Sequence, residues 1–358
     1  MPSRMRVEIG EQPDAVRRTF DALLPQVGEL EALGRATGQV LFIARGSSDN
    51  AAVYGQYLCS VHAGRLATLA SPSLATVYGA DLDLHGVLAV AVSQSGATEE
   101  IVRTLEWARR CGARTVAVTN APGSPLAGLA DIALITRAGR ELAVPATKTY
   151  TTQLAAMAVL ALSLRRRPTA DPVGPDALGD LDPAEALAGV PDAVGAMLEV
   201  APAAEALAGR LTGAETLVVS GRGFAYSTAL ELALKLKETC YVTAVGLSYA
   251  DLVHGPIAIV DAATPALLVA AADGPMLPEM TGLARRAAAA GAPVYGIGGD
   301  HEFAAACRSA LPGPSLPEHL APFALVVPGQ LLAEALARAK GLDPDQPRGL
   351  AKVTQTDA

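Results

Sequence analysis

The sequence predicts an α/β protein of two tandem halves, each a parallel sheet flanked by helices in the flavodoxin-like or Rossmann-like manner. Three observations lead there. Short, almost uninterrupted apolar runs alternate with Ala/Leu-rich stretches of helical spacing, as strands covered on both faces alternate with crossover helices. The order of these runs repeats once at a spacing of about half the chain. A segment rich in Pro, Asp and Gly, "RRRPTADPVGPDALGDLDPAEALAGVPDAV", separates the repeats.

Taken in chain order, residues 1–38 have helical character. The strands of the first half are "QVLFIAR" (39–45), "GVLAVAV" (86–92), "RTVAVTN" (114–120) and "DIALIT" (131–136). Those of the second are "TLVVSGRG" (216–223), "PALLVAA" (265–271), "PVYGIGG" (293–299) and "PFALVVP" (322–328). Gly46 matches Gly223, Val90 matches Leu268 and Val116 matches Val294, which expresses the duplication. The domains expected are 1–38, 39–165 and 193–340, with a linker at 166–192 and a polar tail at 341–358.

Composition limits the partners. A formal charge of −8 disfavours general attraction to nucleic acid or an anionic membrane. No run reaches the roughly 18 apolar residues of a membrane helix, and no signal-peptide core opens the chain. Cys59, Cys111, Cys240 and Cys307 are widely spaced, without the pairing of a zinc site or disulfide framework. A cytoplasmic protein acting on small molecules is expected. Only five of its 28 basic residues are lysines, so a lysine here is a selective choice over arginine.

Two loops at predicted strand ends suit an anion. "SQSGATEE" (93–100) offers the hydroxyls of Ser93, Ser95 and Thr98 and a glycine, ahead of a helix whose first N–H groups are free. The same residues could serve only as caps. Gly46-Ser47-Ser48, at the preceding strand end, adds a second hydroxyl cluster and favours a site.

"STALELALKLKETC" (227–240) is a helix apolar nearly all round, on which Glu231, Lys235 and Glu238 form one narrow strip at steps of four and three. An exposed salt-bridged face and a cleft wall both fit that spacing; carboxylates and an ammonium in a cleft suit acid–base chemistry. Glu238 is a candidate base. His254 precedes Gly255 and Pro256 in a predicted loop.

"SQSGATEE", "ALELALKLKETCYVTAVGLSYADLVHGPIAIV" and "DQPRGLAKVTQT" together resemble the sugar isomerase (SIS) family, in particular the isomerase half of glucosamine-6-phosphate synthase and the stand-alone glucosamine-6-phosphate deaminases. The resemblance implies two SIS subdomains and a sugar-phosphate substrate, in a homodimer with the site shared across subunits. It implies that Ser93, Gln94, Ser95 and Thr98 hold the phosphate and that Ser47, Ser48 and Val144 lie against the sugar. It makes Glu238 the base moving a proton between C1 and C2, supported by Lys235 and Glu231. His254 would open the sugar ring, reaching a neighbouring subunit, and Lys352 would form an imine with the keto sugar. "VPATK" (144–148) places Ala146 where the synthase has a sugar-contacting serine, and Ser47 replaces a threonine. "LAKVTQT" is closer to the deaminase ending. The synthase's glutaminase half, with its cysteine after the initiator methionine, has no counterpart before Cys59.

The reaction that the resemblance implies is therefore isomerisation and deamination of glucosamine 6-phosphate to fructose 6-phosphate and ammonia, with no metal and no organic cofactor. Galactosamine 6-phosphate, a fructosamine-type phosphate, a transaminase-like isomerase lacking its glutaminase and a non-catalytic sugar-phosphate sensor remain alternatives.

Overall fold

Strands covered on both faces need helices between them, and the chain supplies one after nearly every strand. The computed structural model describes residues 2–165 and 182–352. It begins with α1 (Arg4–Gly10), α2 (Gln12–Leu23) and α3 (Val27–Arg35). Next come β1 (Gln39–Ile43), α4 (Ser47–Val61), β2 (Leu66–Leu69), α5 (Ser73–Thr76), β3 (Val87–Val92), α6 (Glu99–Arg110), β4 (Arg114–Thr119), α7 (Pro125–Leu129), β5 (Ile132–Ile135) and α8 (Lys148–Ser163). The second half contains α9 (Pro183–Leu187), α10 (Val190–Ala196), α11 (Ala201–Leu211), β6 (Thr216–Gly221), α12 (Ala225–Cys240), β7 (Thr243–Ser248) and α13 (Tyr249–Val253). It closes with β8 (Ala266–Ala270), α14 (Leu277–Ala289), β9 (Val294–Gly298), α15 (His301–Ala306), β10 (Ser309–Leu311) and α16 (Pro322–Ala339).

The two sheets run β2-β1-β3-β4-β5 and β7-β6-β8-β9-β10, every pairing parallel. This is the flavodoxin-like order, in which the winding reverses between the first and third strands of each half. The loops after those strands border the reversal, and they carry the two hydroxyl clusters.

The registers make the duplication exact at three strands and correct it at a fourth. Phe42 faces Leu69 and Val90, and Ser220 faces Leu247 and Leu268, so β1, β2 and β3 repeat as β6, β7 and β8 at one common spacing. Val90 faces Val116 but Leu268 faces Gly296, so Val116 is matched by Gly296, two residues beyond Val294. A slip of two keeps every side chain on its face, so the apolar pattern is blind to it. Gly46 and Gly223 share a φ near +60°, a conformation glycine adopts without steric cost.

"PFALVVP" is not a strand. It is the first part of α16, which is buried from Pro322 to Ala337 and packs on α11 and α12. A continuous apolar run is compatible with a core strand or a core helix; here the run continues to Ala339, beyond strand length, and Pro322 sits in the first helical turn where its missing N–H costs nothing. The fifth strand of that sheet is β10. β2 and β7 escape the sequence pattern because they are sheet edges with broken burial.

Two compact units result: one comprises Met1–Pro13, Leu142–Thr147 and Gly189–Lys352, the other the described residues of Asp14–Glu141 and Lys148–Ala188. The first contains the β6–β10 sheet, with Val218, Leu268, Leu283 and Phe303 in its core. The second contains the β1–β5 sheet, whose Ala89, Ala91 and Ala117 pack on Ile101 and Leu105 of α6. Among the described residues one stretch, Pro183–Leu211, is long and apolar enough to cross a membrane by length and composition alone. It spans α9, α10 and α11, of which α10 and α11 pack on α16 with Val194, Leu207 and Leu211 buried. Of the expected linker, residues 166–181 lie outside the described residues, as do residues 353–358 of the expected tail.

Candidate active site

The strand-to-helix turn from Ser93 to Thr98 is built to expose donors. Its backbone is locked from behind: Asn120 N and Thr119 Oγ1 donate to Gln94 O at 3.0 and 3.2 Å, and Leu126 N donates to Gly96 O at 3.1 Å. Gly96 has φ +60°, and a Cβ there would collide with Ser124, whose own Cβ would lie 2.6 Å away. Glycine is therefore required twice over. Thr98 occupies the N-cap position of α6, yet its hydroxyl makes no capping bond; it lies 3.4 Å from Ser93 Oγ. Ser95 Oγ accepts from Ala97 N at 3.2 Å. Pure capping accounts for Ser95 at most. The Ser93 and Thr98 hydroxyls converge at a helix end whose free N–H groups favour an anion.

The nearby cation is already committed. Arg45, at the end of β1, forks onto Glu100 of α6 at 3.1 and 3.3 Å, tying the two loops together and neutralising the guanidinium. Ser47 and Ser48 open α4 after the Gly46 turn and are half-buried. Gln153, on α8 and 3 % exposed, donates from Nε2 to Ser48 Oγ at 3.0 Å, while its Oε1 is buried without a hydrogen-bond partner among the described residues. Gln153 was invisible in the sequence, where "YTTQL" reads as ordinary helix.

In the other unit, α12 carries the charged strip. Glu231 and Lys235 are 0 and 1 % exposed, so the spacing does not mark a solvated face. Lys235 Nζ lies 2.5 Å from Glu238 Oε2 and 3.5 Å from Glu231 Oε1; Glu238, at 22 % side-chain exposure, is the member that reaches solvent. A carboxylate at the rim, backed by a buried ammonium and a second buried carboxylate, can exchange protons with a small molecule while its geometry stays fixed.

α12 ends at Tyr241 in the left-handed conformation, φ +54°. Arg348 N donates to the Tyr241 hydroxyl at 2.8 Å, and the Arg348 guanidinium stacks on the Tyr241 ring at 4.2 Å. The tail is thereby fastened to the end of the helix that carries Glu238. Lys352 Nζ donates to Ala143 O at 2.7 Å, beside Val144, whose N–H donates to Asp345 O at 2.9 Å. Lys352 and Val144 are thus neighbours across more than half the chain. Ala146 is half-buried in the same Leu142–Thr147 segment. His254 caps the short helix α13 on the surface, and among the described residues its ring has no hydrogen-bond or ion-pair partner and no such bond to the α12 strip.

The duplicated sheet provides an internal control. At the spacing shared by β3 and β8, Ala271, Asp273, Gly274 and Met276 replace Ser93, Ser95, Gly96 and Thr98. Gly274 keeps a positive φ, +92°, but the hydroxyls are gone. The Glu318 carboxyl lies against Gly223 and Gly274, and burial together with the charge of Asp273 pushes its pKa up to about 7. One switch point presents hydroxyls and helix N–H groups, whereas its duplicate presents the carboxyls of Asp273 and Glu318. Among the described residues no three His, Cys, Asp or Glu side chains gather as metal ligands do.

The model of the SIS domain matches residues 35–163 and 210–337. The chain belongs to the SIS domain family. A curated relative, a glutamine–fructose-6-phosphate aminotransferase (isomerizing) of Thermococcus kodakarensis, is 34 % identical over 98 % of this chain, which spans 58 % of that relative's length. A solved structure assigned as a phosphosugar isomerase, from Silicibacter pomeroyi DSS-3, is 34 % identical with a TM-score of 0.83 and covers 96 % of this chain and 100 % of its own. The C-terminal domain of a Francisella tularensis glucosamine-fructose-6-phosphate aminotransferase is 27 % identical, with a TM-score of 0.86 over 97 % of this chain and 98 % of its own.

Proposed function

We propose that the chain is a phosphosugar aldose–ketose isomerase that converts glucosamine 6-phosphate to fructose 6-phosphate and ammonia. The observation that carries this reading is the α12 strip, in which buried Lys235 holds Glu238 at 2.5 Å with Glu238 facing solvent. The phosphate rests on Ser93, Gln94, Ser95, Thr98 and the free N–H groups of α6, with Ser47, Ser48 and Val144 against the sugar. His254, from a neighbouring subunit of a homodimer, assists ring opening to the aldehyde. Glu238 takes the C2 proton and returns it to C1 while the C2 ammonium gives up one proton and O1 gains one, which leaves a C1 hydroxymethyl and a C2 iminium; the oxidation at C2 balances the reduction at C1. The neutral amine of Lys352 attacks C2 and ammonia departs, and water then cleaves the lysine imine to fructose 6-phosphate. Arginine could not replace Lys352, because it is not deprotonated in proteins.

A second reading has support in the relatives: the same isomerase chemistry run toward glucosamine 6-phosphate with ammonia supplied by a glutaminase. Two incubations separate them. The first reading predicts ammonia and fructose 6-phosphate in equal amounts from glucosamine 6-phosphate by the purified chain. Steady glutamate formation from glutamine and fructose 6-phosphate would replace it with the second.

A further inference from the structure

The tail amine is placed by residues at the opposite end of the chain. Glu8, in α1, is 4 % exposed, and its carboxylate accepts from two consecutive backbone donors, Leu142 N and, at 3.2 Å, Ala143 N. Ala143 is the residue whose carbonyl receives Lys352 Nζ at 2.7 Å. Asp345, seven positions before Lys352, accepts from Arg4 N and Met5 N at the start of α1, both at 2.8 Å, and its own carbonyl receives Val144 N at 2.9 Å. Two carboxylates therefore knit α1, the Val144 segment and the tail into one frame within a single compact unit. The four bonds to the carboxylates are charge-assisted, and each carboxylate satisfies two adjacent N–H groups, which fixes orientation as well as distance.

None of these bonds involves a strand residue. We propose that Glu8 and Asp345 are positioning residues for Lys352, so that α1 sets where the amine stands. The inference rests on the role given to Lys352 above. Glu8→Gln and Asp345→Asn keep size and replace one acceptor oxygen by a donor that opposes a backbone N–H. Displacement of a reacting group by about 1 Å costs on the order of 100-fold in rate. In both variants kcat should fall roughly 10- to 100-fold with KM for the sugar phosphate changed by less than about 3-fold.

Two further readouts distinguish placement from general weakening. The first is the rate at which borohydride traps fructose 6-phosphate on Lys352, followed by mass spectrometry, in variants shown by thermal unfolding to be folded at the assay temperature. The second is acylation of Lys352 relative to exposed Lys237 in the same molecule. The proposal predicts slower trapping and a several-fold change in Lys352 acylation, with Lys237 unchanged. Trapping and kcat at wild-type values in both folded variants would overturn it while leaving the role of Lys352 intact. A wild-type protein that turns over but forms no adduct, with Lys352→Ala equally active, would remove the role of Lys352 and the positioning proposal with it.

Discussion

Lys235→Met tests the buried strip most severely. The substitution keeps the length and the apolar stem and removes the charge, leaving the Glu231 carboxylate at 0 % exposure without the ammonium 3.5 Å away and Glu238 without its partner at 2.5 Å. Removing one member of a buried ion pair costs about 3–5 kcal/mol, because the other charge stays buried and uncompensated. For a compact unit of roughly 180 residues each kcal/mol lowers Tm by about 2–4 °C, so a fall of roughly 6–20 °C at pH 8 is expected. Glu231→Gln in the same background removes the stranded charge and should recover more than half of that loss. Glu231→Gln alone should cost less than Lys235→Met, since Lys235 keeps Glu238. Scanning calorimetry on the four proteins gives the coupling directly. If Lys235→Met melts within about 2 °C of wild type, or if the two substitutions simply add, the strip is not the buried charge set described here.

Thr98→Val removes a hydroxyl that caps nothing. Stability should stay within about 0.5 kcal/mol while KM for a sugar phosphate rises roughly 10- to 100-fold, the worth of one hydrogen bond to a charged group; the opposite pattern, a destabilised α6 with unchanged KM, would return Thr98 to a capping role. Glu318→Gln probes the duplicated switch point. The Glu318 carboxyl has a folded-state pKa of about 7 against an ordinary 4.5, so its protonated form stabilises the fold fully below pH 4.5 and that contribution is lost as pH rises through 7. The Tm of Glu318→Gln relative to wild type should therefore climb between pH 5 and 8; with water screening a half-buried group the gain is about 1–2 kcal/mol. A difference independent of pH would refute the assignment.

The fold was largely legible because seven of its strands are uninterrupted apolar runs, and a parallel sheet covered on both faces demands such runs. Its errors have a common origin. α16 is as apolar as a central strand and only its length distinguishes it, whereas the Val294 match fails by an even number of residues, to which a period of two is insensitive. The charged strip was legible as a strip, but its spacing fits a solvated face and a cleft wall equally, and only the burial of Glu231 and Lys235 decides between them. The frame around Lys352 was not. Glu8 and Asp345 look like surface carboxylates in sequence, and only the long-range bonds to Ala143, Arg4 and Met5 give them a task. Tyr241 carries no sequence mark for its left-handed turn, and Gln153 none for its contact with Ser48.

Proton transfer by Glu238 is the centre of the account, and glucosamine 6-phosphate deuterated at C2 tests it directly. Turnover should show a primary isotope effect and fructose 6-phosphate should carry part of the deuterium at C1. Glu238→Gln should lose on the order of 100- to 10,000-fold in kcat while binding the sugar phosphate within about 3-fold of wild type. Binding without turnover of any amino-sugar phosphate, or product formation undiminished in Glu238→Gln, would contradict it.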